Sequence, residues 1–509
     1  MRINIKSQKG SVTLYTIIAL TVVTIVLVGI YFSIVNKQKS DLEVGQQIKA
    51  IYEKDVNNVD DVYTNLVEGN QTPTWPIYTT VGNAPDITGF NKSTTYYVAW
   101  DTGTTPYSID DTTSISGIPP ANWYDYTAGV NKWANIKTTG GGNDCYWVWI
   151  PRYAYRINSG NYHTSTAGTI DIKFLSGTTN TPIDGSSITI ANASGSGNWN
   201  VAPAFTNAGN GGFGELTGIW VAKFDASSNM VGVEPGFGGT PLGGTSYLSG
   251  LGGGPYTNQQ VRAIPNVTMW RGISINDIFT VCRSMTNSGS SLAGTTGIDS
   301  HLIKNTEWGA AAYLSMSIYG KNSRVWNNPY YSSNDTFCAT ITGLAGATVT
   351  SSQTNTTNLY EYNTSVGINA STSSNVYGIY DMAGGSWEYV AAYVNNGDSN
   401  LTTNCLSLIN AAAKYKDVYA VGSTDVDVNN YTAASGKYGD AVYETSASGN
   451  ADVAWDNTNA YMPSWSEPVF IRGGRAYSNM YVGLFSFNIV GGQATQYETF
   501  RPVLVCQQP

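Results

Sequence analysis

NVYGIYDMAGGSWEYV, running from Asn375 to Val390, carries more structural instruction than any other stretch of this chain. The pair Gly384-Gly385 permits a tight turn that residues with a Cβ resist. Trp387 follows the turn, with an indole large enough to fill part of a core. Asp381 and Glu388 set two carboxylates among these apolar residues, where a buried charge needs a partner. Two arginines further along qualify: Arg472 in FIRGGRAYSN (Phe470 to Asn479) and Arg501 in ETFRPVLV (Glu498 to Val505). A planar guanidinium that grips a carboxylate through two hydrogen bonds fixes geometry as well as charge. The expected role of these residues is therefore structural rather than catalytic.

On either side, short aromatic or β-branched runs alternate with long polar ones. CYWVWIP (Cys145 to Pro151), TGIWVAKF (Thr217 to Phe224) and VFIRGG (Val469 to Gly474) read as strands. SINDIFTVCRSM (Ser274 to Met285) reads as a helix with Ser274 as its N-cap and Ile275, Ile278, Phe279 and Cys282 on one face. A second helix opens at HLIKNTEWGAAAYLS (His301 to Ser315), where Glu307 and Trp308 precede three alanines that allow close packing. Gly-, Ser-, Thr- and Asn-rich stretches at 176–200, 234–258 and 345–375 read as surface loops. The pattern predicts an α+β fold with few helices and many loops. One large irregular domain is expected over 141–509, after a linker and small β-rich segment at 70–140 that includes TTYYVAW (Thr94 to Trp100).

Charged residues are 12% of the chain, about half the usual share, while hydrophobic residues are 41%, so charge-driven disorder is excluded. The net charge is −9 and no basic cluster follows residue 39, which argues against nucleic acid as a partner. The chain holds 35 Tyr and 14 Trp, residues that serve either a β-rich core or a contact surface. Five scattered cysteines form no CxxC, and their pairing cannot be read from sequence.

The run SVTLYTIIALTVVTIVLVGIYFSIV, Ser11 to Val35, is free of charge and spans roughly 37 Å as a helix, enough to cross a bilayer core. Arg2, Lys6 and Lys9 precede it, so a single-pass anchor with an inside N-terminus and the bulk outside the cell membrane is expected over residues 1–36. Residues 37–69 read as a helical stalk, broken by NQTPTWP. The opening KGSVTLYTIIAL resembles type IV pilin-like leaders through Lys9-Gly10 and Thr13-Leu14, but Tyr15 stands where that family has a Glu that registers subunits in a filament.

Four motifs in order, at 301–315, 375–390, 470–479 and 498–505, resemble the signatures of the formylglycine-generating enzyme, or sulfatase-modifying-factor, family. The resemblance implies an irregular C-type-lectin-like fold. Enzymes of that family bind copper through two cysteines just after the RGG strand. Here Ser478 and Gly483 occupy those positions, and neither replaces a thiolate toward a soft metal. Relatives with a histidine iron site need more than His163 and His301, which lie in no ligand pattern. No catalytic residues, metal ligands or cofactor are therefore expected, although structural calcium, which some relatives carry, is left open. DVDVNN (Asp425 to Asn430) starts like a calcium loop but has Asn430 and Gly436 where Gly and Glu belong. GNGGFG (Gly209 to Gly214) matches a dinucleotide motif but precedes a strand and opens no helix.

In the last forty or so residues a framework of Arg472, Gly473, Gly474, Gly483, Phe485, Phe487, Phe500 and Arg501 is interleaved with Arg475, Tyr477, Ser478, Asn479, Met480, Tyr481, Ser486, Asn488, Gln493 and Gln496. Phenylalanines at i and i+2 share one face of a strand, so the intervening residues are expected to face solvent. The layout resembles the variable proteins of diversity-generating retroelements. That resemblance implies a displayed, adhesin-like surface binding a protein or glycan outside the cell. A pilin-like subunit with a large head and a diverged oxidase are the alternatives.

Overall fold

The computed structural model describes residues 82–121, 123–228, 260–330, 340–351, 358–476 and 478–506. All belong to one compact unit, Thr79–Pro509. The expected anchor and stalk lie outside the described residues, among which no helix is long and apolar enough to cross a membrane.

Two large sheets organise this α+β unit. Their strands in chain order are β1 (Thr95–Asp101), β2 (Ser108–Asp110), β3 (Asn135–Gly140), β4 (Asn143–Pro151), β5 (Gly218–Ala222), β6 (Ile298–Leu302), β7 (Trp387–Val394), β8 (Asp417–Tyr419), β9 (Asn450–Ala454), β10 (Thr458–Tyr461), β11 (Val469–Gly473), β12 (Gly483–Val490), β13 (Glu498–Phe500) and β14 (Pro502–Cys506). The first sheet runs β6-β14-β5-β4-β3-β1-β2 and the second β8-β7-β11-β12-β10-β9, with β13 also on β7. The boundary expected at residue 140 is absent. β3 pairs with β4 from Asn135↔Val148 to Gly140↔Asn143, and β1 pairs with β3, so the segment around residues 95–140 completes the first sheet. A short apolar strand such as TYYVAWD has nowhere else to satisfy both its backbone and its buried face.

Two helices pack against these sheets. α1 (Ile275–Arg283) is capped by the Ser274 hydroxyl, which accepts from the Asp277 N–H, and buries the four residues its sequence face predicted. α2 (Asn305–Ser315) is buried along its whole length, which suits a helix with no polar stripe. Gly309 is required there: a Cβ would fall 2.1 Å from the carbonyl oxygen of Gly439. Ten of the 14 tryptophans are buried, and seven of them, Trp133, Trp147, Trp149, Trp220, Trp270, Trp308 and Trp455, fully so; most of the indole content thus builds the core rather than a contact surface. Cys145, Cys282, Cys405 and Cys506 are buried free thiols.

Candidate binding surface

Arg501 is the one residue between β13 in the second sheet and β14 in the first. Its side chain is fully buried. Nε donates to Glu388 Oε2 at 2.7 Å and Nη2 to Glu388 Oε1 at 2.9 Å, the bidentate grip expected from sequence. Nη2 also reaches Asp225 Oδ1 at 2.5 Å, and Nη1 donates to the Ala222 carbonyl at 2.8 Å. Burial and the nearby Glu388 push the Asp225 carboxyl well up, because one guanidinium cannot neutralise two carboxylates. Sequence had also offered Asp381 as a partner. It accepts instead from Asn328 Nδ2 and the Gly343 N–H, both at 2.8 Å, and burial raises it to about 6.

Arg472 corrects a second expectation. Among the described residues it contacts no carboxylate. Its guanidinium donates to the Ala441 carbonyl at 2.9 Å and to Asn305 Oδ1 at 3.2 Å, and stands 5.5 Å from the Trp308 ring. Burial lowers its pKa to about 10. Trp308 in turn donates its indole N–H to the Leu484 carbonyl at 2.7 Å, tying α2 to β12. Trp387 is buried at the start of β7, whose backbone pairs with both β11 and β13.

Above this framework the chain leaves β11 through Gly473 and Gly474, at φ +83° and +86°, and returns at Val482. A Cβ on Gly474 would lie 2.9 Å from the Val482 Cα, so the turn is closed at its base. Its backbone is fastened from outside. The Ala476 N–H donates to the Gly385 carbonyl at 2.9 Å, and Asn327 Nδ2 to the Ala476 carbonyl at 3.3 Å. Arg324 Nη2 donates to the Val482 carbonyl at 2.8 Å and also to that of Met480. On top, Met480 is 51% exposed and Tyr481 39%, two adjacent large apolar side chains in water.

The other predicted residues divide. Arg475 lays its guanidinium 4.6 Å from the Tyr497 ring, and Ser478 is half-buried, its N–H donating to the Arg475 carbonyl. Gln493 is exposed, while Asn488 and Gln496 are half-buried. Tyr477 and the Asn479 side chain lie outside the described residues. Ser486 does not face solvent. β12 lies between β11 and β10, and Ser486 is as buried as its Phe neighbours, so the expected in-out alternation fails where a strand is covered on both faces. Arg324 and Asn327, which hold the turn, were missed. They sit in KNSRVWNN with no motif around them, and an arginine aimed at carbonyls leaves no pattern in sequence.

The DVDVNN segment forms a hydrogen-bonded corner: Asp425 accepts from Asn430 Nδ2 and Asn396 Nδ2, each at 2.8 Å, and from the Trp465 N–H at 2.9 Å. In GNGGFG, Asn210 Oδ1 accepts from the Gly212 and Phe213 amides, making a compact loop before β5.

Beside the framework, His301 is held between two carboxylates, Nδ1 3.0 Å from Asp299 and Nε2 2.9 Å from Glu307. Burial opposes its imidazolium, but Glu307 and Asp299 outweigh burial and raise its pKa above 6.5. Burial likewise opposes the carboxylates, yet Lys304 and His301 hold Glu307, and His301 and Arg283 hold Asp299, at about 2. The histidine's contribution is complete below pH 6.5 and fades as pH rises through its folded value. The carboxylates' contribution is present above pH 4.5 and is lost as pH falls toward 2. His301→Gln should therefore lower the urea midpoint more at pH 5.5 than at pH 8.5, and an equal or reversed difference would show that His301 is neutral.

The fold and site thus define an α+β domain with a buried arginine framework under a backbone-fastened turn. No known family matches the chain, and no curated protein matches it. Among solved structures it is similar to Treponema denticola variable protein 1, at 11% identity over 73% of this chain and 98% of that one, with a TM-score of 0.26.

Proposed function

We propose that this chain is a surface recognition protein, tethered to the cell membrane through residues 11–35, whose 475–481 turn binds a protein or glycan outside the cell. What supports this most directly is the way the turn is held. Among the described residues, the hydrogen bonds from the framework all reach main-chain atoms, Gly385 and Asn327 to Ala476 and Arg324 to Met480 and Val482, while Arg475 at the edge of the turn also rests its side chain on the Tyr497 ring. Main-chain atoms are the same whatever side chain they carry. The side chains on top are thus free to serve a partner, and a rigid aromatic beside a methionine is a favourable anchor. The four sequence motifs meet around Arg472 and Arg501, which favours a sulfatase-modifying-factor-like, C-type-lectin-like scaffold. On this reading Ser478 and Gly483, in place of two thiols, leave the scaffold with no reaction to run. No cofactor and no nucleic acid enter.

Full-length protein is screened against immobilised glycans and purified cell-surface proteins. For a ligand so found, Met480→Ala with Tyr481→Ala should weaken binding tenfold or more while the melting temperature moves by no more than about 2 °C. Silence in both panels, or binding indifferent to the double variant, counts against the proposal. Comparing the locus between strains gives a second check: substitutions should concentrate at exposed positions of 475–481 and spare Arg324, Asn327 and the glycines.

A further inference from the structure

Away from the turn, two cavities meet at Tyr438. One, of about 270 Å³, includes Thr306, Asp417, Lys437 and Asp440 in its wall. The other, of about 340 Å³, includes Arg152, Asn180 and Glu215. Tyr438 and Ala208 line both, so the two adjoin in one groove. Its combined size falls in the range of small-molecule sites.

The walls are built without slack. A Cβ on Gly209 would fall 2.5 Å from Pro203, and one on Gly439, at φ +71°, would fall 2.2 Å from the same proline. Three segments of chain are thus pressed together around Pro203, and α2 presses on the Gly439 carbonyl through Gly309. Gly209 belongs to GNGGFG, so this contact gives that loop a role unrelated to phosphate.

The polar groups are equally fixed. Asp417 is 8% exposed, and its Oδ2 accepts the Thr306 N–H at 2.8 Å in the first turn of α2. Thr306 lines the cavity, and its buried hydroxyl has no hydrogen-bond partner among the described residues. Such an orphan is destabilising unless something supplies its bond. Asp440 accepts from the Tyr419 hydroxyl at 2.8 Å, and the Lys437 ammonium stands 4.6 Å from the Tyr419 ring. In the second chamber Arg152 is held by Glu215 at 2.8 Å, the Phe205 carbonyl at 2.6 Å and Asn180 Oδ1 at 3.0 Å.

Acceptors and donors therefore both line the groove. Three carboxylates face two cations, and Arg152 already has its own carboxylate. That balance disfavours a strongly charged ligand. It favours one that both donates and accepts at several points and carries an apolar face to lie against the half-buried Tyr438 ring. We propose that this groove is a second binding site, separate from the 475–481 turn, for a neutral hydroxyl-rich ligand of one or two sugar rings, with Thr306, Asp417 and Tyr438 as its principal contacts.

The test is ligand-observed NMR and calorimetry on the full-length protein with glucose, galactose, mannose, N-acetylglucosamine, maltose and lactose. Spermidine and inorganic phosphate serve as charged comparisons. At least one sugar should bind, and Asp417→Asn and Tyr438→Ala should each weaken it roughly tenfold or more. Thr306→Val gives a reading that fold loss cannot mimic. It removes an unpartnered buried hydroxyl, so the melting temperature should hold or rise while sugar affinity falls. The proposal is overturned if no sugar binds, if only spermidine or phosphate binds, or if sugars bind equally to wild type, Thr306→Val and Asp417→Asn.

Discussion

Arg501→Met should destabilise the domain by about 3–5 kcal/mol, the cost of stranding buried carboxylates, and should lower the denaturant midpoint accordingly. Methionine fills much of the same volume, so the loss is electrostatic rather than a cavity. Glu388 and Asp225 lose their cation, both 0% exposed, with Asp381 buried nearby. The Ala222 and Tyr380 carbonyls lose a donor as well. Because Arg501 stands at the passage from β13 to β14, the loss falls where the two sheets are joined. Adding Glu388→Gln and Asp225→Asn to Arg501→Met removes the uncompensated charge and should restore part of the midpoint. A triple variant no more stable than the single one would mean that the lost carbonyl contacts, not the charges, dominate.

Gly384→Ala should be a strongly damaging small substitution, at about 2–5 kcal/mol. Gly384 sits at φ +86°, and a Cβ there would fall 1.6 Å from Asn327 Oδ1 and 2.5 Å from the Asn328 carbonyl oxygen. The second contact is with backbone and has no easy relief. Asn327 also holds the Ala476 carbonyl, so the strain passes to the turn and ligand binding should fall with stability. Gly142→Ala isolates the conformational part. Its φ is +81° with nothing near a new Cβ, and it should cost only about 1 kcal/mol. Equal losses in the two variants, by denaturation, would remove the steric component from the explanation.

These two residues illustrate what the sequence could reveal. Gly384 and Arg501 were legible because a left-handed turn wants glycine, and a buried guanidinium among apolar strands is well served by a carboxylate. Arg472 looked the same and was not, since carbonyl oxygens satisfy a guanidinium as well and every residue carries one. Helix α1 was legible from its Ser cap and its one apolar face. Ser486 was misplaced because strand periodicity reports which residues share a face, not whether the opposite face is covered. The boundary at 140 failed for a related reason. TTYYVAW is recognisably a strand, but its partner in the β3 ladder is set by tertiary pairing that no local pattern records. The groove at Tyr438 was beyond reach, because Arg152, Thr306, Asp417 and Tyr438 meet only through the fold.

The central claim is that the framework, and not the side chains on top, holds the 475–481 turn. Simultaneous replacement of Ser478, Met480 and Tyr481 by random polar and aromatic residues, scored by melting temperature, tests it most directly. Most variants should melt within about 2 °C of the parent, while Arg324→Met, which removes donors to Met480 and Val482, should melt well below it. A library whose members mostly unfold, beside an Arg324→Met variant that melts normally, would show that the exposed side chains hold the turn themselves and would contradict the account.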